Sequence, residues 1–124
     1  MPSRLIRTFA TFAGRIPRST FWWSQIAAFS AFAVLFVFLD SALGRPGTWL
    51  LYPFFFWGAA AVSVKRLHDR GQSAWRLLLL LIPVVGPVWW IIALGVRAGT
   101  RGDNQYGPDP LVAGVDYLVV RSDL

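Results

Sequence analysis

The sequence has no cysteine and no glutamate, and its only histidine is His68. Without thiols neither a disulfide framework nor a thiolate metal site can form. One imidazole and a few scattered aspartates make a poor metal site. No serine stands in a G-x-S-x-G elbow, so a hydrolytic triad has no frame. A phosphate-cradling G-x-x-x-x-G-K loop is missing as well. These absences point away from an enzyme: no catalytic, metal or cofactor-binding residue is assigned, and no cofactor is expected.

Charge is also scarce, at 15% of residues, and it is missing in blocks. Positions 21–39, 46–64 and 77–96 hold 19, 19 and 20 residues without Asp, Glu, Lys or Arg. A helix rises ~1.5 Å per residue, so each block approaches the ~20 residues that cross ~30 Å of hydrocarbon. A soluble core helix would need a polar outer face, and these blocks are apolar all round. With 56% hydrophobic residues, above the ~45–50% of soluble domains, the chain reads as an all-α integral membrane protein of about three transmembrane helices. The expected layout is a single membrane domain over 1–124. It has an interfacial helix at 4–13, spans at 20–42, 47–66 and 74–97, and a polar, turn-rich tail at 98–124.

The net charge of +6 does not point to nucleic acid, because of where the charge lies. Arg4, Arg7, Arg15 and Arg18 precede the first block, and Lys65, Arg66, Arg70 and Arg76 separate the second from the third. The intervening loop holds only Asp40 and Arg45. Basic residues at alternate block ends follow the positive-inside rule and place the amino terminus in the cytoplasm. The expected partners are anionic lipid headgroups, together with a second copy of the chain or other membrane proteins. The first block is expected to be a retained anchor, since its apolar run is full length and no A-x-A-like site follows.

Leu5, Ile6, Phe9, Phe12 and Ala13 fall on one side of a helical wheel, as in a helix lying in the headgroup plane. Gly14 and Pro17 end it, and Ser19 is the expected N-cap of the first span. Ser24, Ala27, Ala28 and Ala31 form a small-residue stripe, matched by Gly58 to Ala61 and Ser63, which predicts a close crossing of the first two spans. In the third block Pro83, Gly86 and Pro87 interrupt the helix. Either one kinked span carries the tail across, or a re-entrant hairpin returns it beside the 65–76 loop. The kinked span is preferred, since prolines are tolerated in transmembrane helices.

The most informative polar stretch is Lys65-Arg66-Leu67-His68-Asp69-Arg70-Gly71-Gln72-Ser73-Ala74-Trp75, and a second, rich in turn formers, is Gly99 to Pro110. Arg66 and Arg70 are expected to anchor to headgroup phosphates, and Asp69 to pair with an arginine or cap the turn at Gly71. Should the third block re-enter, Arg66, His68 and Asp69 would meet Asp103, Asn104 and Asp109 on one face. These two segments, with Gly14-Arg15-Ile16-Pro17-Arg18, Phe21-Trp22 and Ile82-Pro83-Val84-Val85-Gly86, resemble the domain of unknown function 805 family over about residues 9 to 110. The R-L-H-D and N-x-[FY]-G-P-D-P elements carry the resemblance. It implies a small bacterial inner membrane protein of several helices with no established activity. One departure is Thr20, where relatives often carry an acid before the aromatic pair. The candidate functional cluster is Arg15, Arg18, Arg66, His68, Asp69, Asn104 and Asp109. The expected function is non-enzymatic, through helix packing and contacts with lipid and protein; the alternative is a component for transport or permeation of ions or small solutes.

Overall fold

The computed structural model describes residues 3–112 and Leu118. The tail charges Asp116, Arg121 and Asp123 lie outside the described residues. Helix α1, Arg4–Ala10, is capped by Ser3, whose hydroxyl accepts from the Ile6 N–H. It ends three residues before the expected limit. It packs on α3, with Phe9 against Gly58 and the Trp57 indole donating to the Ala10 carbonyl. Lys65 secures this contact by donating to the carbonyls of Thr8 and Thr11.

Helix α2, Arg18–Leu43, runs 26 residues, about 39 Å at the standard rise. Pro17, with no N–H to satisfy, takes the N-cap position expected for Ser19, which instead lies in the first turn. Gly44 closes the far end at a φ of 76°. A short 3-10 helix, Arg45–Thr48, leads into α3, Leu51–Asp69. The runs 18–43 and 45–69 are the two among the described residues that are long and apolar enough to cross a membrane. Helix α3 stops in a Schellman motif: Gly71 is left-handed, its N–H bonds to the His68 carbonyl, and the Gln72 N–H bonds to that of Leu67.

The α2–α3 contact departs from the small-residue expectation. Phe29 and Phe32 meet Phe55 at ring distances of 5.0 and 4.8 Å, and Gln25 reaches the Ala59 carbonyl and the Ser63 hydroxyl. Aromatic rings, not the alanine stripe, fill this half of the contact. Ala27, Ala28 and Ala31 therefore line an apolar groove of about 610 Å³ shared with Phe9 and Gly58.

The third block is not one kinked helix. Residues Ala74–Leu81 form a 3-10 helix, the chain turns at 82–84, and α4, Val85–Trp90, continues into a π-helical segment, Ile91–Val96. The two arms pack on each other, and the exit returns to the entry: Arg66 bonds the Arg97 carbonyl and the Thr100 N–H bonds the Asp69 carbonyl. Pro83 and Pro87 remove two donors, and Val84 takes a φ of 66° in a γ-turn closed by the Val85 N–H on the Pro83 carbonyl. The Ile82 and Val84 carbonyls accept from Gly86 and Val88. The tip thus shelters its carbonyls while exposing Leu81, Val84 and Val85. Among the described residues there is no strand, and a single bridge pairs Asn104 with Gly107.

At the opposite end of the helix pair, Asp40 on the last turn of α2 bonds Arg45 at 3.0 Å, and both are exposed. A surface pair of this kind contributes ~0–1 kcal/mol. Asp40→Asn is expected to shift thermal stability within that range, read by the melting of the purified protein.

Candidate functional site

Four segments far apart in sequence meet at one end of the helices, and Asp69 is their centre. Oδ1 of Asp69 accepts from Arg15 Nε at 3.1 Å and Nη2 at 2.9 Å, and Oδ2 accepts from Arg66 Nη1. Arg15 and Arg66 are fully buried, and Asp69 is nearly so. Arg15 also donates to the carbonyls of Thr100, Gly102 and Gly107, so one guanidinium ties the α1–α2 loop to the tail. Gly99 packs so closely on the Asp69 carboxylate that a Cβ there would overlap it.

Arg66 faces inward, not toward headgroups as its position beside the loop implies. Its remaining N–H groups go to the carbonyls of Ile16, Leu94 and Arg97. Arg18 bonds the Val96 carbonyl, and Trp22 Nε1 bonds that of Gly95. The last turn of the π-helical segment leaves these carbonyls without helical partners, and positive or donor side chains at a helix carboxyl end satisfy them and oppose the dipole. Gly95 permits the arrangement, because a Cβ would run into the Trp22 indole.

The tail motif folds as a clasp. Asn104 Oδ1 accepts from the Tyr106 N–H, and its Nδ2 donates to the His68 carbonyl. Tyr106 stacks on the His68 ring at 4.0 Å and 4°. Nδ1 of His68 lies 3.1 Å from the Gly14 carbonyl, which accepts only if Nδ1 carries the proton. Asp109 receives the Gly102 and Leu111 N–H groups, and its own N–H bonds Asp103. Those N–H bonds, Leu111 foremost, hold the Asp109 carboxyl below the usual carboxylate range. A depressed folded-state pKa stabilises the clasp above the ordinary carboxylate range, and that contribution is lost as pH falls through the folded value. The protection factors of the Gly102 and Leu111 amides against hydrogen exchange, taken relative to the intrinsic rate at each pH, are therefore expected to fall on acidification from about pH 6 to about pH 3, and not in Asp109→Asn.

Of the seven residues singled out in the sequence, Arg15, Arg66, His68, Asp69, Asn104 and Asp109 share this network, while Arg18 stands at its edge. Lys65 heads the most informative stretch of the sequence but stands outside the candidate cluster, and sequence reasoning missed Trp22, Gly95 and Thr100 as parts of the network. Lys65 carried one signal, its place three residues before His68 on the same helix face, but its carbonyl acceptors lie 54 and 57 positions away. Gln25, Ser63 and Trp90 form a second buried polar set: the Trp90 indole and the Gln25 amide both donate to Ser63. Burial, with the Arg97 and Arg76 charges, lowers Arg70 from its ordinary value, marking how basic this end is. Among the described residues no group of His, Asp or Glu side chains can hold a metal ion.

The network joins R-L-H-D to the N-x-Y-G-P-D-P clasp, the two elements that carry the resemblance. The family profile described as "Protein of unknown function (DUF805)" matches residues 9–108. The chain belongs to the DUF805 family. Inner membrane protein YhaH of Escherichia coli K12 is 36% identical over 119 residues, covering 86% of this chain and 93% of that protein. Inner membrane protein YhaI is 30% identical over 110 residues, at 86% and 91% coverage, and uncharacterized protein YiiR is 32% identical over 124, at 80% and 85%, both from the same strain. No solved structure matches this DUF805 chain.

Proposed function

We propose that this DUF805 protein is a multi-pass protein of the bacterial inner membrane. In this reading it does no chemistry of its own and works through contacts with lipid and neighbouring membrane proteins, homo-oligomers included. One observation carries the reading, an inverted pattern of burial. Arg15, Arg66 and Lys65 are among the largest fully buried side chains, while Phe54, Leu50 and Val34 are 78%, 72% and 69% exposed. In water that arrangement would leave large apolar patches bare; in hydrocarbon it is the favourable one, with polar groups satisfied internally. The two segments of membrane-crossing length and the names of the inner membrane relatives support it. The absence of glutamate and the full engagement of Asp69 support a non-enzymatic role.

In this reading α2 and α3 cross the bilayer, the 74–96 hairpin re-enters without crossing, and both ends of the chain lie in the cytoplasm with the basic network. Fusions at each terminus test the topology: a fluorescent reporter that needs the cytoplasm should light at both ends, and alkaline phosphatase should stay inactive at both. An active phosphatase at the carboxyl end alone would establish a complete third crossing and end the hairpin reading. The cysteine-free sequence permits a second test, in which Val84→Cys resists a membrane-impermeant maleimide from both sides and Ser73→Cys reacts from the cytoplasmic side.

A second reading, permeation of ions or small solutes, draws on Gln25. Its Oε1 is buried without a partner in the described structure, beside the broken third block. Reconstituted vesicles in which wild type and Gln25→Leu give the same flux as empty ones would remove it.

A further inference from the structure

We propose that the cavity between the start of α2 and the tail, lined by Arg18, Ser19, Arg66, Asp69, Thr100 and Arg101, is a binding site for a phosphate-class anion. Its volume is about 470 Å³, enough for an inorganic phosphate or the headgroup of an anionic lipid. Among the described residues, the charges in and behind its wall do not balance. Three arginines line it against one carboxylate, and both oxygens of that carboxylate are already taken by Arg15 and Arg66. Those two guanidiniums are fully buried, so the Asp69 node holds a net positive charge away from water. The carbonyls around them satisfy hydrogen bonds without cancelling charge, and an uncompensated buried charge is costly. Asp109 lies outside the cavity wall and offsets part of the Arg15 charge, so the excess at the wall rests on Arg18, Arg66 and Arg101. Lys65, also fully buried, adds to the excess.

An anion in the cavity would supply the missing negative charge. Arg18 and Arg101 stand at its rim as cationic donors, Ser19 and Thr100 bring hydroxyls, and the start of α2 has no side-chain cap. Arginine forks match phosphate oxygens, which favours phosphate over a spherical anion. A lipid headgroup and a free phosphate offer the same oxygens, and only the supply differs.

The full-length protein in nanodiscs tests both sources. With phosphatidylcholine discs, titration with inorganic phosphate is followed by calorimetry; with discs containing phosphatidylglycerol, lipid retained on release from the disc is counted by native mass spectrometry. Binding of either probe is expected, weakened about tenfold or more in Arg18→Gln/Arg101→Gln, since a hydrogen bond to a charged group contributes ~1.5–3 kcal/mol. The exposed single variant Arg101→Gln, which leaves the helix contacts intact, is expected to show part of the same loss. Arg70→Gln/Arg76→Gln removes equal charge outside the cavity, from one half-buried and one exposed side chain, and is expected to leave binding within about threefold, as charges beyond the cavity are screened by solvent. Phosphate binding in phosphatidylcholine discs names a free anion, and retention of phosphatidylglycerol without phosphate binding names a lipid. Either upholds the site. Binding of neither probe, or equal loss in the two double variants, overturns it, and neither result bears on the reporter and cysteine tests of topology.

Discussion

Asp69→Asn is expected to destabilise the folded protein by about 3–5 kcal/mol, because it leaves two buried guanidiniums without their counter-charge. Asparagine keeps the volume, so the loss reports charge and hydrogen bonding, not a cavity. Asp69 accepts from both Arg15 and Arg66, and it also joins Thr100 to the end of α3 through its backbone carbonyl. The variant should therefore release the tail as well as lower the melting temperature. Limited proteolysis of the purified protein is expected to cut within 97–112 in the variant under conditions where wild type is intact. A second substitution that removes one of the stranded charges, Arg66→Met, is expected to recover part of the loss, since the two residues are coupled. A stable Asp69→Asn protein with an intact tail would show that the network does not hold the fold together.

Gly86→Ala is the second large effect. A Cβ at Gly86 would stand 2.5 Å from the Leu79 carbonyl oxygen and 2.7 Å from Leu80 Cα. Both neighbours are backbone of the opposing arm, which cannot step aside as a side-chain tip can. Overpacking typically costs 1–3 kcal/mol, and here about 3 kcal/mol is expected because relief requires the two arms to separate. Separation would displace the tip, where Val85, Gly86 and Val88 satisfy carbonyls of residues 82–84, from its packed position. In the maleimide assay Val84→Cys should then become reactive in the Gly86→Ala background. Unchanged protection and an unchanged melting temperature would refute this account of the hairpin.

The two long helices were legible in the sequence because their signal is local. Charge-free runs of 19 residues have few alternatives to a helix in an apolar setting. The turn at Gly71 was legible in the same way, but the helix runs to Asp69, three residues past the expected end at 66, before left-handed Gly71 closes a Schellman motif. The third block was ambiguous for a physical reason. Pro83, Gly86 and Pro87 specify that a helix must break, but the chain's direction after the break depends on what its arms pack against. Leu94, Gly95 and Val96 present carbonyls that Arg66, Trp22 and Arg18 cap, and these partners lie 28, 73 and 78 positions away.

The candidate site divides along the same line. The motifs shared with the DUF805 family single out Arg15, His68, Asp69, Asn104 and Asp109, and polar groups flanking apolar blocks need partners. The partners themselves could not be read: a lipid phosphate and a backbone carbonyl both satisfy an arginine, and Arg66 and Lys65 turned to carbonyls. The sequence by itself determined an all-helical chain, two helices of membrane-crossing length and the segregation of basic residues to one end, because each follows from runs of neighbouring residues. Only the tertiary structure decided that the third block folds back, that α1 leans on α3, and that Arg15 and Arg66 share one aspartate. Those outcomes rest on contacts closed across more than fifty positions for Arg15 and on the return of the hairpin for Arg66, which no local pattern encodes.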